Sequence, residues 1–124
     1  MIPVFDDSPI IGDLPPPPKP DAAPGLSEDE AESQARDLKA IADTTRLRII
    51  SLLMRHGGEV CVNDIVACFN LEQATISHHL RILRDAGLIR ARKRALWSYY
   101  FVKHERLRVI LQALTSLIHT DVTP

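Results

Sequence analysis

The segment around residues 72–86 carries polar side chains of the types that read the edges of DNA bases. If it is helical, Ile76, Leu80 and Leu83 recur at the spacing of one buried face. Glutamine and arginine make bidentate contacts with adenine and guanine, threonine and serine bond bases or phosphates, and a small alanine can touch a thymine methyl group. The outer face and its amino-terminal end therefore present a candidate base-reading set: Gln73, Ala74, Thr75, Ser77, His78 and Arg81.

A short basic run follows this segment. Arg90, Arg92, Lys93 and Arg94 place four cations in five residues, and no acidic residue interrupts the stretch 86–104. Cations that neutralise phosphates release counterions, so this run predicts salt-dependent binding to a polyanion. The candidate DNA-contacting set is completed by Arg92, Lys93, Arg94 and, at the start of an earlier predicted helix, Thr45.

The composition bounds the class of protein. The 124 residues, 45% of them apolar and 25% charged, suffice for one core-bearing domain. No apolar run is long enough to span a bilayer, no secretory signal opens the chain, and only two cysteines occur. We therefore expect a cytoplasmic protein with free thiols and no membrane partner. Glycine-rich phosphate loops and hydrolytic residue spacings are absent, so neither an enzyme nor a required cofactor is expected.

The net charge of −1 conceals two oppositely charged parts. Residues 1–32 carry a charge of −7, residues 33–124 carry +6, and the first 26 residues hold eight of the nine prolines. Proline fixes φ and donates no hydrogen bond, so residues 1–26 are predicted to form an acidic, flexible leader. The leader is interpreted as a solubilising tail, with a partner-binding or DNA-mimicking arm as the alternative. Residues 27–120 are the predicted folded domain.

Capping residues and hydrophobic periodicity predict a chain of helices with one hairpin. Ser27 and Glu30 are spaced as a capping box, while Asp43 and Asn63 are placed to cap the second and third helices. After Gly87 the pattern changes to β-branched, apolar and aromatic residues, which indicates strands. The predicted helices cover residues 28–42, 45–56, 64–68, 72–86 and 104–119, and the hairpin joins 88–93 to 96–102 across a tip at Arg94 and Ala95.

Two apolar stripes exceed what one small domain has to cover. Small side chains on the first helix suit close approach of another helix. The last helix carries a nearly heptad seam, so part of it is expected to bury against a second chain. The stripes consist of Ala31, Ala35 and Leu38 on the first helix, and of Leu107, Ile110, Leu111, Leu114, Leu117 and Ile118 on the last.

Two short helices joined by a tight turn and followed by a basic hairpin describe a winged helix-turn-helix. The run from Ser77 to Leu88 matches Ser-x-His-Leu-x-x-Leu-x-x-Ala-Gly-Leu and resembles the recognition helix of the ArsR/SmtB winged-helix repressors. Residues 43–49 and 59–64 are similar to the second-helix opening and the Glu-Leu-Cys-Val-Cys-Asp box of that family. The resemblance covers about residues 33–119 and departs at the wing tip, where an alanine stands in place of the common glycine.

The resemblance implies a mainly α fold with a β-hairpin wing: four helices, the two wing strands, and a last helix. It also implies a homodimer joined through the first and last helices, which agrees with the two apolar stripes. The implied partner is double-stranded operator DNA, and the implied function is a repressor that releases its operator when an inducer binds.

The resemblance also directs attention to the cysteines. Arsenite-sensing members of the family use thiolates, because As(III) is soft and prefers two or three sulfurs. Cys61 matches the first cysteine of the third-helix box, whereas Asn63 and Val66 stand where other members have further cysteines. Cys68 would share an ion with Cys61 only if the chain folded back. Cys61 and Cys68 are the candidate inducer ligands, for As(III) or another thiophilic ion, and a purely apolar role for Cys61 stays open.

Other sensor sites and another class of function are weaker alternatives. The positions of the family's last-helix zinc site correspond to Lys103, Glu105, Ser116 and His119, and a lysine and a serine argue against zinc there. A thiol redox switch, through oxidation of Cys61 or a disulfide between Cys61 and Cys68, is an alternative. A winged-helix module that binds protein through its acidic leader is the alternative from a different class.

Overall fold

The structure is a computed structural model that describes residues 14–17 and 25–118. Most of the predicted leader, residues 1–26, lies outside the described residues, and so does His119. Within the described part, the elements are α1 (Glu28–Ile41), α2 (Thr44–His56), β1 (Val60–Cys61), α3 (Val62–Ala67), α4 (Gln73–Asp85), β2 (Ile89–Arg94), β3 (Trp97–Val102) and α5 (His104–Ile118). The predicted winged helix-turn-helix is thus confirmed, with each helix boundary within two residues of its predicted position.

Side-chain caps define where the first two helices begin. The Ser27 hydroxyl accepts from the backbone N–H of Glu30 at 3.1 Å, and the Glu30 carboxylate accepts from the N–H of Ser27 at 2.9 Å. The Asp43 carboxylate accepts from the backbone N–H of Arg46 at 3.0 Å. The caps predicted at Ser27 and Asp43 are therefore confirmed. Each one satisfies an amide that has no partner inside its helix.

The start of α3 differs from the prediction. Cys61, not Asn63, is the N-cap, and its side chain makes no capping hydrogen bond. Cys61 also ends the short strand β1, in which Val60 is the register partner of Tyr100 and Cys61 that of Tyr99. The prediction missed β1, since a two-residue strand is stabilised by a partner about 40 residues away and has no local pattern of its own.

The three strands form an antiparallel sheet in the order β1-β3-β2. Arg94 pairs with Trp97, so the tip of the wing is Ala95 and Leu96 rather than the predicted Arg94 and Ala95. Ala95 has a φ of 56°, in the left-handed region that a two-residue hairpin loop requires. An alanine can adopt this conformation at a modest energetic cost, which accounts for a tight wing tip without glycine.

One apolar cluster joins the helix-turn-helix to the base of the wing. Ile76, Leu80 and Leu83 of α4 are buried, as predicted, and they belong to the same cluster as Ile89 and Val102 of the wing strands. The other buried members are Ala40, Ile49, Ile50, Leu53, Val60, Ile65, Leu88 and Ile110. The core therefore fixes the inner face of α4 and leaves its outer face to solvent.

The two environments of leucine give a direct test of this core. Leu83 is 0% exposed and Leu96 is 88% exposed. We expect Leu83→Ala to lower the free energy of unfolding by about 2–5 kcal/mol, because it leaves a cavity that the core fills only in part. Leu96→Ala should change it by less than about 0.5 kcal/mol. Urea denaturation at one protein concentration measures both, and equal losses would contradict this core.

Candidate nucleic-acid interface

The outer face of α4 carries the predicted base-reading side chains. Gln73, Ala74, Ser77, His78 and Arg81 are exposed. Thr75 is partly covered, one residue before the buried Ile76. The structure thus brings five of the six predicted α4 residues onto an open convex face, the shape that enters a major groove.

A shallow recess runs along this face. Its lining includes Ala74, Ser77, His78 and Arg81, together with Arg84 and Tyr100. Sequence analysis missed the last two residues. Arg84 lies seven residues after Ser77, so helical periodicity could have found it. Tyr100 comes from the wing, so only the folded structure brings it beside α4.

Two side chains of the recess are already ordered by one another. A terminal nitrogen of Arg81 lies 3.2 Å from Nδ1 of His78, one turn earlier on α4. A guanidinium only donates, so the imidazole nitrogen accepts this bond. Both side chains stay exposed, and the contact holds the guanidinium on the outer face, where a base edge could be read.

Arg46 attaches α4 to the helices behind it. Its guanidinium donates to the carbonyl oxygens of Ala40 at 2.7 Å and Lys39 at 3.3 Å, at the end of α1. Another of its nitrogens lies 3.0 Å from Nδ1 of His79, whose side chain is mostly buried. His79 therefore positions α4, whereas its neighbour His78 faces solvent. Thr45, the remaining helix candidate, lies half-buried at the start of α2.

Asp43, which lies beside Arg46, has a lowered pKa. The hydrogen bond from the backbone N–H of Arg46 is the main cause that holds the pKa of Asp43 below its ordinary value of 3.8, and the positive charge of Arg46 adds to it. The ionised form of Asp43 is therefore favoured by folding.

The register of the wing divides its cations between two faces. Residues that pair across β2 and β3 point to the same side, so Lys93 and its partner Ser98 share a face with Ala91 and Tyr100. That face continues into the α4 recess through Tyr100. The opposite face carries the cross-strand pairs Arg90 and Phe101, Arg92 and Tyr99, and Arg94 and Trp97.

Two of the predicted wing cations are already paired with a carboxylate. Arg92 and Arg94 contact the two carboxylate oxygens of Glu59 at 2.9 Å and 2.6 Å. Their guanidinium groups also lie over the rings of Phe101 and Tyr99, at 5.1 Å and 5.3 Å from the ring centres. The positive charge of this face is thus partly neutralised within the chain.

The two cysteines lie at opposite ends of α3. Cys61 is the half-buried N-cap and Cys68 the exposed C-cap. At about 1.5 Å per residue, the seven steps of chain between them span roughly 10 Å. The chain does not fold back between them, because α3 occupies the intervening residues. Within residues 14–17 and 25–118, no three His, Cys, Asp or Glu side chains come together as a metal site.

Some side chains of the two predicted apolar stripes are buried within the protomer itself. Leu38, Leu107 and Ile110 pack in or against the core, and Arg106 of α5 bonds Asp37 of α1 at 2.7 Å. The remaining members of the stripes are exposed: Ala31, Ala35, Leu111, Leu114, Leu117 and Ile118, joined by Val109, which the sequence analysis left out.

A winged helix-turn-helix with an open polar recognition helix defines a DNA-binding transcriptional regulator rather than an enzyme. Residues 43–91 match the family model described as bacterial regulatory protein, arsR family. The chain is 40% identical over 86 residues to an uncharacterized HTH-type transcriptional regulator of Methanocaldococcus jannaschii, covering 69% of this chain and 96% of that one. The chain belongs to the ArsR family.

Two further comparisons bear on function. The arsenical resistance operon repressor of Bacillus subtilis is 40% identical over 73 residues, covering 59% of this chain and 69% of the relative. The homodimeric winged helix-turn-helix domain of a possible ArsR-family regulator from Mycobacterium bovis matches with a TM-score of 0.58 and 28% identity, over 77% of this chain and 91% of that one.

Among the described residues, no helix combines the length and apolar character that crossing a membrane requires.

The lowered pKa of Asp43 predicts how stability changes in acid. Its contribution is complete above the ordinary pKa of 3.8 and is lost as the pH falls through the lower pKa of the folded state. Asparagine caps helices as well as aspartate but does not titrate. We expect Asp43→Asn to reduce the acid-side decline in the free energy of unfolding, measured by urea denaturation at a series of pH values. An equally steep decline in both proteins would contradict the assignment.

Proposed function

We propose that this chain is a transcriptional repressor that binds double-stranded operator DNA through α4 and the wing. The observation that carries the proposal is the division of α4 into a buried face and an exposed face of base-reading side chains. Gln73, Ala74, Ser77, His78 and Arg81 supply the base contacts, with Thr75 at the edge. Lys93, on the wing face continuous with the α4 recess, supplies a phosphate contact, and Thr45, Arg92 and Arg94 complete the proposed contact set.

The functional unit is proposed to be a homodimer built by residues 27–120. The exposed apolar side chains of α5, among them Leu111 at 55% and Ile118 at 75% exposure, would be covered by the same helix of a second copy. The homodimeric relative supports this arrangement. A two-fold dimer presents two α4 helices to two half-sites. Residues 1–26 are proposed to be an acidic leader separate from this unit.

The inducer is proposed to be a soft metal or metalloid ion, with As(III) first, acting at the thiol of Cys61. Relatives named arsenical resistance operon repressor support the choice of ion. Cys61 ends β1 and caps α3, so an ion bound there would disturb both the wing sheet and the first helix of the helix-turn-helix. We do not propose that Cys68 binds the same ion within one protomer, because α3 lies between the two cysteines.

The base-reading and phosphate roles predict different losses on mutation. Arg81→Ala should lower the preference for operator over mixed-sequence duplex by about 1–3 kcal/mol, because it removes a base contact. Lys93→Ala should weaken binding to both duplexes alike and reduce the dependence on salt. Fluorescence anisotropy with promoter and mixed-sequence duplexes measures both effects. Equal losses on the two duplexes for Arg81→Ala would exclude its base-reading role.

The inducer proposal predicts different phenotypes for the two cysteine variants. In an arsenite titration of the DNA-bound, reduced protein, Cys61→Ser should retain operator binding and lose release, since it keeps the shape but removes the thiolate. Cys68→Ser, the matched control, should still release. Release from the Cys61→Ser protein would place the inducer site elsewhere, and no release from the wild type would exclude arsenite.

A further inference from the structure

One carboxylate faces the basic side of the wing. Glu59 precedes β1, and its two oxygens contact Arg92 at 2.9 Å and Arg94 at 2.6 Å. Both arginines belong to the basic run of residues 90–94, which is predicted to contact DNA. The carboxylate therefore occupies groups that a phosphate would bind, with the same charge-assisted pairing of an anionic oxygen and a guanidinium.

The exposure of the three side chains is unequal. Arg92 and Arg94 are 57% and 58% exposed, whereas Glu59 is 17% exposed. Each guanidinium has five N–H donors, and each uses one nitrogen on Glu59, so unsatisfied donors remain on the outside. A second anion can thus approach both arginines from solvent while Glu59 is already bound from the inner side.

The position of Glu59 is fixed by the sheet. The next residue, Val60, is buried and is the register partner of Tyr100 on β3, the central strand. The arginines are held in turn by Phe101 and Tyr99 beneath their guanidinium planes. The ion pairs therefore connect the start of β1, β2 and the rings of β3. Forming them costs less side-chain entropy than forming a pair between two mobile surface side chains.

We propose that Glu59 is an internal competitor of DNA phosphate for Arg92 and Arg94, and that it lowers the affinity of the wing for duplex DNA. The inference rests on the proposed DNA-binding function and adds to it the residue that limits its electrostatic strength. In the uncomplexed protein, Arg90 and Lys93 are the wing cations outside the Glu59 cluster. A duplex gains Arg92 and Arg94 only by displacing or sharing a carboxylate.

The test compares two glutamate variants that remove the same charge. Glu59→Gln frees two arginines of the wing, while Glu105→Gln breaks an exposed pair with Arg108 on α5, whose two side chains meet at 2.7 Å. Binding of the full chain to a mixed-sequence duplex is measured by anisotropy over a series of KCl concentrations. We expect Glu59→Gln to bind several-fold more tightly than Glu105→Gln at low salt. Its plot of log affinity against log salt should be steeper by about 0.9 for each phosphate newly contacted.

A second pair of variants keeps the test independent of wing stability. Replacing Arg92 and Arg94 together by glutamine should cost more affinity in the Glu59→Gln protein than in the wild type, because only there are the arginines uncontested. Trp97 is the one tryptophan of the sequence and lies on β3, so its emission reports whether each variant retains the wing.

The outcomes separate this inference from the function on which it rests. Equal affinities and slopes for Glu59→Gln and Glu105→Gln, with the wing intact, would overturn the role of Glu59 while leaving DNA binding in place. Equal losses from the arginine replacements in both backgrounds would overturn it as well. Absence of duplex binding by the wild type at low salt would overturn the proposed function itself.

Discussion

The position of the recognition helix depends on one arginine. Arg46 binds the last carbonyl groups of α1 with one side of its guanidinium and His79 of α4 with another. Its own backbone N–H is held by Asp43, so the arginine is fixed at the start of α2. Hydrophobic contacts of Ile76 and Leu83 fix the depth of α4, but they are non-directional. The core decides which side of α4 is buried, and the directional bonds of Arg46 fix the place of the helix relative to the end of α1.

Charge is distributed unevenly along the sequence and between the two faces of the wing. The net charge of −1 combines an acidic first part, residues 1–32, with a basic remainder. Within the folded part, Lys93 shares a wing face with Tyr100 of the α4 recess, whereas Arg92 and Arg94 share Glu59 on the other face. The count of cations in a sequence therefore overstates the charge available to phosphate. The pairing of each cation within the folded chain determines that available charge.

Local signals predicted most of the fold. The capping box at Ser27 and the periodicity of Ile76, Leu80 and Leu83 depend on residues within one or two turns, so the sequence shows them directly. Several features that the sequence analysis missed are contacts between distant residues. These are the pairing of β1 with β3, the contact of Glu59 with the wing and the approach of Tyr100 to α4. The separation of Cys61 from Cys68 became clear only once α3 was placed between them.

In the proposed function, the dimer is the unit that reads DNA, with one α4 in each of two half-sites. Footprinting of the full chain on its own promoter tests this claim most directly, with bound protein counted per duplex. We expect two protomers per site and two protected major-groove segments, their centres separated by about 10–10.5 base pairs or a multiple of that spacing. A single protected segment with one bound protomer, or no protection beyond that on mixed-sequence DNA, would contradict the account.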